Sequence, residues 1–178
     1  MKRVHYFTGQ LLSAEDFQAE QDYHRDKQRR LNLRLHGMGV VSGLHVSANP
    51  ISANSNEIHV SPGVAIDCYG NEIVIDEPQV IPVPAATSPV WLIVAYTETL
   101  TDPVPANGET HTQPSRVEEG FKLEYATDPQ DENTIRLARL RWTNERWSVE
   151  RPFRSSLLPL GLVIIAFALR CLLCSRRR

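Results

Sequence analysis

Six histidines and three cysteines are the side chains of this sequence best suited to bind a metal ion. Imidazole nitrogens and thiolates form a zinc site only when three or four of them reach one coordination sphere. His24 and His36 lie on one predicted helix, twelve residues apart, which is too far to share an ion. Cys171 and Cys174 have a zinc-like spacing, but no second pair completes a tetrahedral site. We therefore expect neither a metal site nor any other cofactor.

Serine and carboxylate chemistry also lacks its usual sequence patterns. Ser42 precedes Gly43, but the first glycine of the nucleophile-elbow pattern is absent. Asp67 and Glu72 flank a predicted hairpin loop and could face each other, as the two carboxylates of a glycoside hydrolase do. Such a pair needs a cleft that shifts its pKa values, and nothing else in the sequence predicts one. The sequence therefore predicts that the protein is not an enzyme.

Aromatic side chains offer one further kind of binding chemistry, the stacking of a sugar ring. The candidates are Tyr69, Trp91, Trp142 and Trp147. The strand that contains Trp91 is apolar throughout and is predicted to be buried on both faces, whereas Trp142 and Trp147 flank a hairpin turn. Cross-strand packing is the more usual explanation of aromatic residues at such positions. A β-type carbohydrate-binding module, displayed at a membrane by the C-terminal segment, is the alternative function.

A long polar helix is the first element that could position any of these groups. It follows an extended N-terminal arm over residues 1–12 and is predicted over residues 13–37, because Ser13 can cap its start and Gly37 can close its end. Its apolar stripe is narrow and is formed by Phe17, His24, Leu31 and Leu35. A helix with so thin an apolar face is not the centre of a core. Such a helix lies across a sheet edge through this narrow seam, packs on a neighbouring subunit, or is a solvated helix held by charge pairs. Of these alternatives we expect the subunit contact, through these four residues.

Three glycines mark the passage from helix to sheet. Gly37, Gly39 and Gly43 alternate with apolar residues, which predicts turns or hinges with close backbone approach. A phosphate-binding loop is a poor interpretation, because the spacing differs from the dinucleotide fingerprint and the glycines follow a helix instead of preceding one.

Short apolar runs separated by turn residues dominate residues 38–154. Their close spacing predicts an α+β, mainly β fold, in which the N-terminal helix precedes a small antiparallel β-sandwich or barrel-like domain. Residues 101–115 have the composition of a long exposed loop. The net charge of −2 provides no overall positive field for nucleic acid.

Residues 155–178 form a hydrophobic C-terminal tail. Leu157–Leu173 contains a single charged residue, Arg170, and is slightly shorter than the roughly 20 apolar residues that span a bilayer. Three interpretations stay open: a membrane anchor, a buried segment, or the end of a truncated or frame-shifted chain. The N-terminus has no apolar run behind its basic residues and is not a secretory signal, so we expect a cytoplasmic protein.

Four short blocks in order resemble baseplate and tail-fibre-type structural proteins of phage-tail-like contractile injection systems. The blocks are Phe7–Phe17, Gln21–Arg25, Leu35–Leu44 and Val60–Asp67, and residues 115–121 and 135–140 are similar to the sheet region of the same group. The likeness covers roughly residues 5–150, and one departure from the group's pattern is Met38, where a large aromatic residue is frequent. The resemblance implies a non-catalytic assembly component whose partners are other subunits of the particle, in a homo- or hetero-oligomer.

Overall fold

The computed structural model describes residues 2–48, 57–83, 89–105, 112–129, 133–143 and 146–150. In these ranges one helix precedes ten strands, and all their pairings are antiparallel. The elements are α1 (Ala14–Leu35), β1 (Gly39–Gly43), β2 (Val46–Ala48), β3 (Glu57–Val60), β4 (Gly63–Ile66), β5 (Glu72–Ile75), β6 (Gln79–Pro82), β7 (Val90–Pro105), β8 (Thr112–Ala126), β9 (Thr134–Thr143) and β10 (Arg146–Glu150). The predicted α+β, mainly β fold class is confirmed. The tail at 155–178 lies outside the described residues.

The strands form three sheets around one apolar core. Their orders are β1-β4-β5, β2-β3-β6 and β10-β9-β7-β8, and the fold includes a sheet curled into a half-barrel. Each sheet contributes side chains that are almost completely buried, such as Ile73, Ile58 and Leu92. Buried and exposed side chains alternate along a strand that faces the core on one side only. In β5, for example, Ile73 and Ile75 are buried while Val74 is exposed.

Strands β7 and β8 extend well beyond the sheet. β9 pairs with β7 only over Val90–Ala95, whereas the pairing of β7 with β8 continues to Pro105 and Thr112. We call the two-stranded part, residues 96–105 and 112–121, the ribbon. The predicted loop at 101–115 is therefore wrong at both ends. Turn-forming residues dominate its composition, but a continuous antiparallel ladder outweighs their weak local preference.

The three glycines after α1 all have positive φ, at 72° for Gly37, 131° for Gly39 and 61° for Gly43. Gly43 also lies against the neighbouring strand, where a Cβ atom would stand 2.0 Å from the carbonyl oxygen of Pro62. Backbone conformation and lack of space thus both require glycine at this position.

Candidate interaction surface

The helix α1 starts and ends at local signals in the sequence. The backbone N–H of Ser13 donates to Asp16 Oδ2 at 3.1 Å, one half of a capping box. A hydrogen bond from its own backbone N–H, followed by one from the Ser13 side chain, lowers the pKa of Glu15 from its ordinary value. At the other end, the N–H of Gly37 donates to the carbonyl oxygens of Asn32 and Leu33. Both ends of α1 are therefore capped by local hydrogen bonds.

Polar side chains attach α1 to the β domain. The helix has a single buried residue, Asn32, whose Nδ2 donates to the carbonyl oxygen of Gly70 at 3.0 Å. One turn earlier, Arg29 Nε donates to Asn71 Oδ1 at 2.5 Å. A Cβ atom on Gly70 would stand 2.2 Å from the carbonyl oxygen of Arg29, so the helix backbone rests directly on this glycine.

Asp67 holds the loop that receives the helix. Its Oδ1 accepts hydrogen bonds from the backbone N–H groups of Tyr69 and Asn71, and its Oδ2 accepts one from Asn71 Nδ2. Asp67 is 2% exposed, whereas Glu72 lies on the surface. Asp67 and Glu72 therefore do not form the predicted pair of facing carboxylates, and Asp67 instead organises a loop.

Glu98 connects the helix to the base of the ribbon. Its Oε1 lies 3.4 Å from Arg29 Nη2 and accepts a hydrogen bond of 3.0 Å from the Tyr96 hydroxyl. Burial, followed by the hydrogen bond to Glu98, raises the pKa of Tyr96 well above its usual range. Tyr96 therefore stays protonated and donates to Glu98 at any ordinary pH.

The apolar stripe of α1 is exposed. Phe17, Leu31 and Leu35 keep 53%, 50% and 64% of their surface accessible, and His24 is also exposed. At 3.6 residues per turn, the centre of the stripe lies roughly 100° around the helix axis from Arg29 and Asn32. The helix therefore packs on its own β domain through a polar face and presents its most apolar face outward.

A groove of about 950 Å³ separates α1 from the ribbon. His24, Gln28 and Leu31 lie on its helix side, and Val117 and Glu119 on its ribbon side. Leu100, which pairs with Val117 across the ribbon, is 67% exposed, and Val117 is 53% exposed. Exposed apolar side chains therefore stand on both the helix and the ribbon.

The remaining candidates show ordinary structural contacts. Trp142 and Trp147 are direct cross-strand partners whose rings pack edge to face at 5.4 Å. Trp91 was predicted to be buried but is partly exposed, and its ring packs at 5.3 and 5.7 Å under the guanidinium groups of Arg136 and Arg139, which are polar side chains, instead of in the apolar core. In the part of the chain that the structure describes, no group of three His, Cys, Asp or Glu side chains could hold a metal ion. Within the same ranges no helix is long and apolar enough to cross a membrane.

Asn32, Arg29 and Gly70 were not identified from the sequence as contacts between the helix and the sheet. Asn32 interrupts the otherwise apolar Leu31 and Leu33, and that interruption was the available signal. Gly70 has a positive φ of 87°, and its role as a helix contact depends on a residue 38 positions away in the sequence.

Two solved baseplate structures resemble this chain. A chain of the type VI secretion TssK-TssF-TssG baseplate subcomplex has a TM-score of 0.52 at 14% identity over 84% of this chain, and one of the type VI secretion baseplate complex has 0.50 at 14% over 99%. The chain shares its fold with type VI secretion baseplate proteins, which belong to a contractile injection system.

The similarity is limited to the fold. A crystal structure of TssK matches with a TM-score of 0.49 at 11% identity over 84% of this chain. The chain spans 40% of the TssK chain, 60% of the subcomplex chain and 65% of the baseplate-complex chain. No protein-family profile matches the sequence, and no curated protein matches it significantly.

Proposed function

We propose that this chain is a non-catalytic structural component of a phage-tail-like contractile injection particle, and that the outward face of α1 contacts a neighbouring subunit. The observation that carries the proposal is the placement of Phe17, Leu31 and Leu35 on the exposed side of a helix whose buried residue is an asparagine. An exposed apolar face of this kind marks a site of protein association.

Packing on its own β domain gives α1 little stability. A helix in a globular protein obtains most of its stability from packing an apolar face. Here Asn32 and Arg29 supply hydrogen bonds, each with a net value of about 1 kcal/mol. Burial of three large apolar side chains against a neighbour would add about 1.5–3 kcal/mol for each chain fully covered.

The fold similarity supports the same function. The solved structures that share this fold come from multi-subunit baseplate complexes. A mainly β domain with an exposed helix and an extended ribbon suits a subunit that is held by several neighbours. The absence of a catalytic sequence pattern agrees with a structural role.

Sedimentation of the tagged full-length chain, expressed from its own locus, tests the proposal. We expect the wild-type chain to sediment with a large complex and Phe17→Asp/Leu31→Asp to remain near the top of the gradient, because two carboxylates cannot be buried unpaired in an interface. The matched control is Ala19→Asp/Val80→Asp, which changes the charge equally at exposed sites off the stripe. Co-sedimentation of the stripe variant with the wild-type complex would refute the proposal.

A further inference from the structure

Six exposed residues of α1 follow a heptad spacing that contains the apolar stripe and two further residues, Gln21 and Gln28. Phe17, Gln21, His24, Gln28, Leu31 and Leu35 are separated by four, three, four, three and four residues. This alternation places all six on one seam of a helix, as at the core positions of a coiled coil. The seam is apolar at both ends and polar in the middle. A polar layer in the core of a coiled coil reduces its stability but fixes the alignment of its helices.

The charges beside the seam favour a second copy of the same helix, aligned in parallel. In a parallel coiled coil, a residue on one flank faces the residue five positions later on the other flank of its partner. Here Glu20 of one copy would face Arg25 of the other, on both sides of the seam. An antiparallel arrangement would bring Glu20 near Arg34, but also Lys27 near Lys27 and Arg25 near Arg25 of the two copies, so its attractive and repulsive pairs cancel.

The ribbon provides a complementary wall for the second helix. Residues 25–34 of α1 contain five basic and one acidic residue, and two of the four acidic residues of the ribbon, Glu98 and Glu119, line the groove. In the parallel arrangement, the helix flank that enters the groove carries Lys27 and Arg34 of the second copy. These would face Glu98 and Glu119. Arg29 already pairs with Glu98 within one chain, so the same type of contact exists in this structure.

The size of the groove fits this occupant. A helical turn 5.4 Å high and about 10 Å across fills roughly 400 Å³. The groove of about 950 Å³ therefore has the volume of about two helical turns. We propose that α1 of a second copy of this chain pairs in parallel with α1 along the 17–35 seam and lies in the groove between α1 and the ribbon. This proposal rests on the proposed function, because it names the partner of the same helix face.

Charge-reversed variants of the full-length chain test the pairing. Glu20→Arg and Arg25→Glu each create two like-charge pairs in a homotypic complex, and we expect self-association of either variant alone to weaken about tenfold. In an equimolar mixture, every flanking pair between a Glu20→Arg chain and an Arg25→Glu chain is again of opposite charge. Sedimentation velocity of the mixture should therefore recover the wild-type oligomer.

This mixing experiment separates contacts between chains from contacts within one chain. Glu20 accepts a hydrogen bond from the Tyr6 hydroxyl, and Arg25 pairs with Asp22 at 2.7 Å. Both substitutions disturb those internal contacts, but mixing two damaged chains cannot repair them. Failure of the mixture to recover, or a wild-type chain that stays monomeric up to its solubility limit, would overturn the pairing.

The ribbon wall has its own matched pair of variants. Glu119 faces the groove, and Glu118 points to the opposite side of the same strand because strand side chains alternate. We expect Glu119→Lys to weaken self-association severalfold and Glu118→Lys to leave it nearly unchanged. Equal effects of the two substitutions on self-association would show that the ribbon does not contact the second helix.

The proposed function and the homotypic pairing fail in different ways. If Phe17→Asp/Leu31→Asp releases the chain from its complex while charge reversal and mixing have no effect, the face binds a different protein and the homotypic pairing is wrong. If the stripe variant also stays in the complex, the proposed function fails as well.

Discussion

The carbonyl oxygen of Gly70 accepts a hydrogen bond of 3.0 Å from the side-chain amide of Asn32. This bond joins the only buried residue of α1 to a loop that is itself organised by Asp67. The helix is therefore positioned by polar contacts that require accurate geometry, while its apolar residues Phe17, Leu31 and Leu35 remain exposed.

Gly70→Ala should weaken the attachment of the helix. The residue has a φ of 87°, and a Cβ atom would stand 2.2 Å from the carbonyl oxygen of Arg29. A left-handed alanine alone costs about 1–2 kcal/mol, so we expect the free energy of unfolding to fall by more than this amount. Gly9→Ala is the control, since Gly9 has a φ of 88° with nothing within 4 Å of the added Cβ. Equal losses in denaturant titrations would show that the helix does not rest on Gly70.

Asp67→Ala should destabilise the loop more than removal of a surface carboxylate does. The carboxylate accepts three hydrogen bonds, and its loss leaves the N–H groups of Tyr69 and Asn71 without this acceptor. We expect a loss of about 2–3 kcal/mol in the free energy of unfolding. The exposed Asp76→Ala should change it by less than about 0.5 kcal/mol. Similar values for the two variants would contradict the structural role of Asp67.

Asn32→Ala should loosen α1 without unfolding the β domain. The substitution removes the bond to Gly70 and leaves a buried carbonyl oxygen without that donor. We expect amide hydrogen exchange to accelerate across α1, at a cost of about 1 kcal/mol, while the β7 and β9 amides keep their protection. Gln18→Ala removes a comparable amide bond, to Asp22 on the helix surface, and should leave exchange nearly unchanged. If both variants exchange like the wild type, α1 is held by other contacts.

The protein should lose stability above pH 10 partly through Tyr125. Burial raises the pKa of the Tyr125 hydroxyl to about 12, and this hydroxyl donates to the carbonyl oxygen of Pro82 at 2.8 Å. Because the folded state keeps a proton that the unfolded state releases near pH 10, this contribution is complete below pH 10 and is lost as the pH rises through about 12. The free energy of unfolding of Tyr125→Phe should fall less steeply with pH over this interval, because up to one proton fewer is released on unfolding. An unchanged slope would contradict the assignment.

The sequence predicts the ends of α1 well because the relevant signals are local. Ser13 caps the start, and Gly37 follows the end with a φ of 72°. The mainly β character was likewise readable from short apolar runs, such as the alternation that buries Ile73 and Ile75. Such patterns depend on neighbours within a few residues, and tertiary contacts reinforce them here.

Long-range geometry explains what the sequence did not predict. The ribbon depends on pairing Leu100 with Val117 and Pro105 with Thr112 across residues of turn-like composition. The attachment of α1 depends on Asn32 and Gly70 meeting across 38 residues. Neither pairing produces a periodic signal in one sequence. Phe17, His24, Leu31 and Leu35 were recognised as a stripe, and their role in subunit contact stays a prediction.

Hydroxyl-radical footprinting of the side chains on α1 tests whether this helix face contacts another subunit. The chain would be labelled within its gradient-purified complex and again after the complex has been dissociated. We expect Phe17, Leu31 and Leu35 to react several times more slowly in the complex, while Val80, which is 52% exposed on a strand, changes little. Equal reactivity of the three α1 residues in both states would contradict the assignment of this helix face to subunit contact.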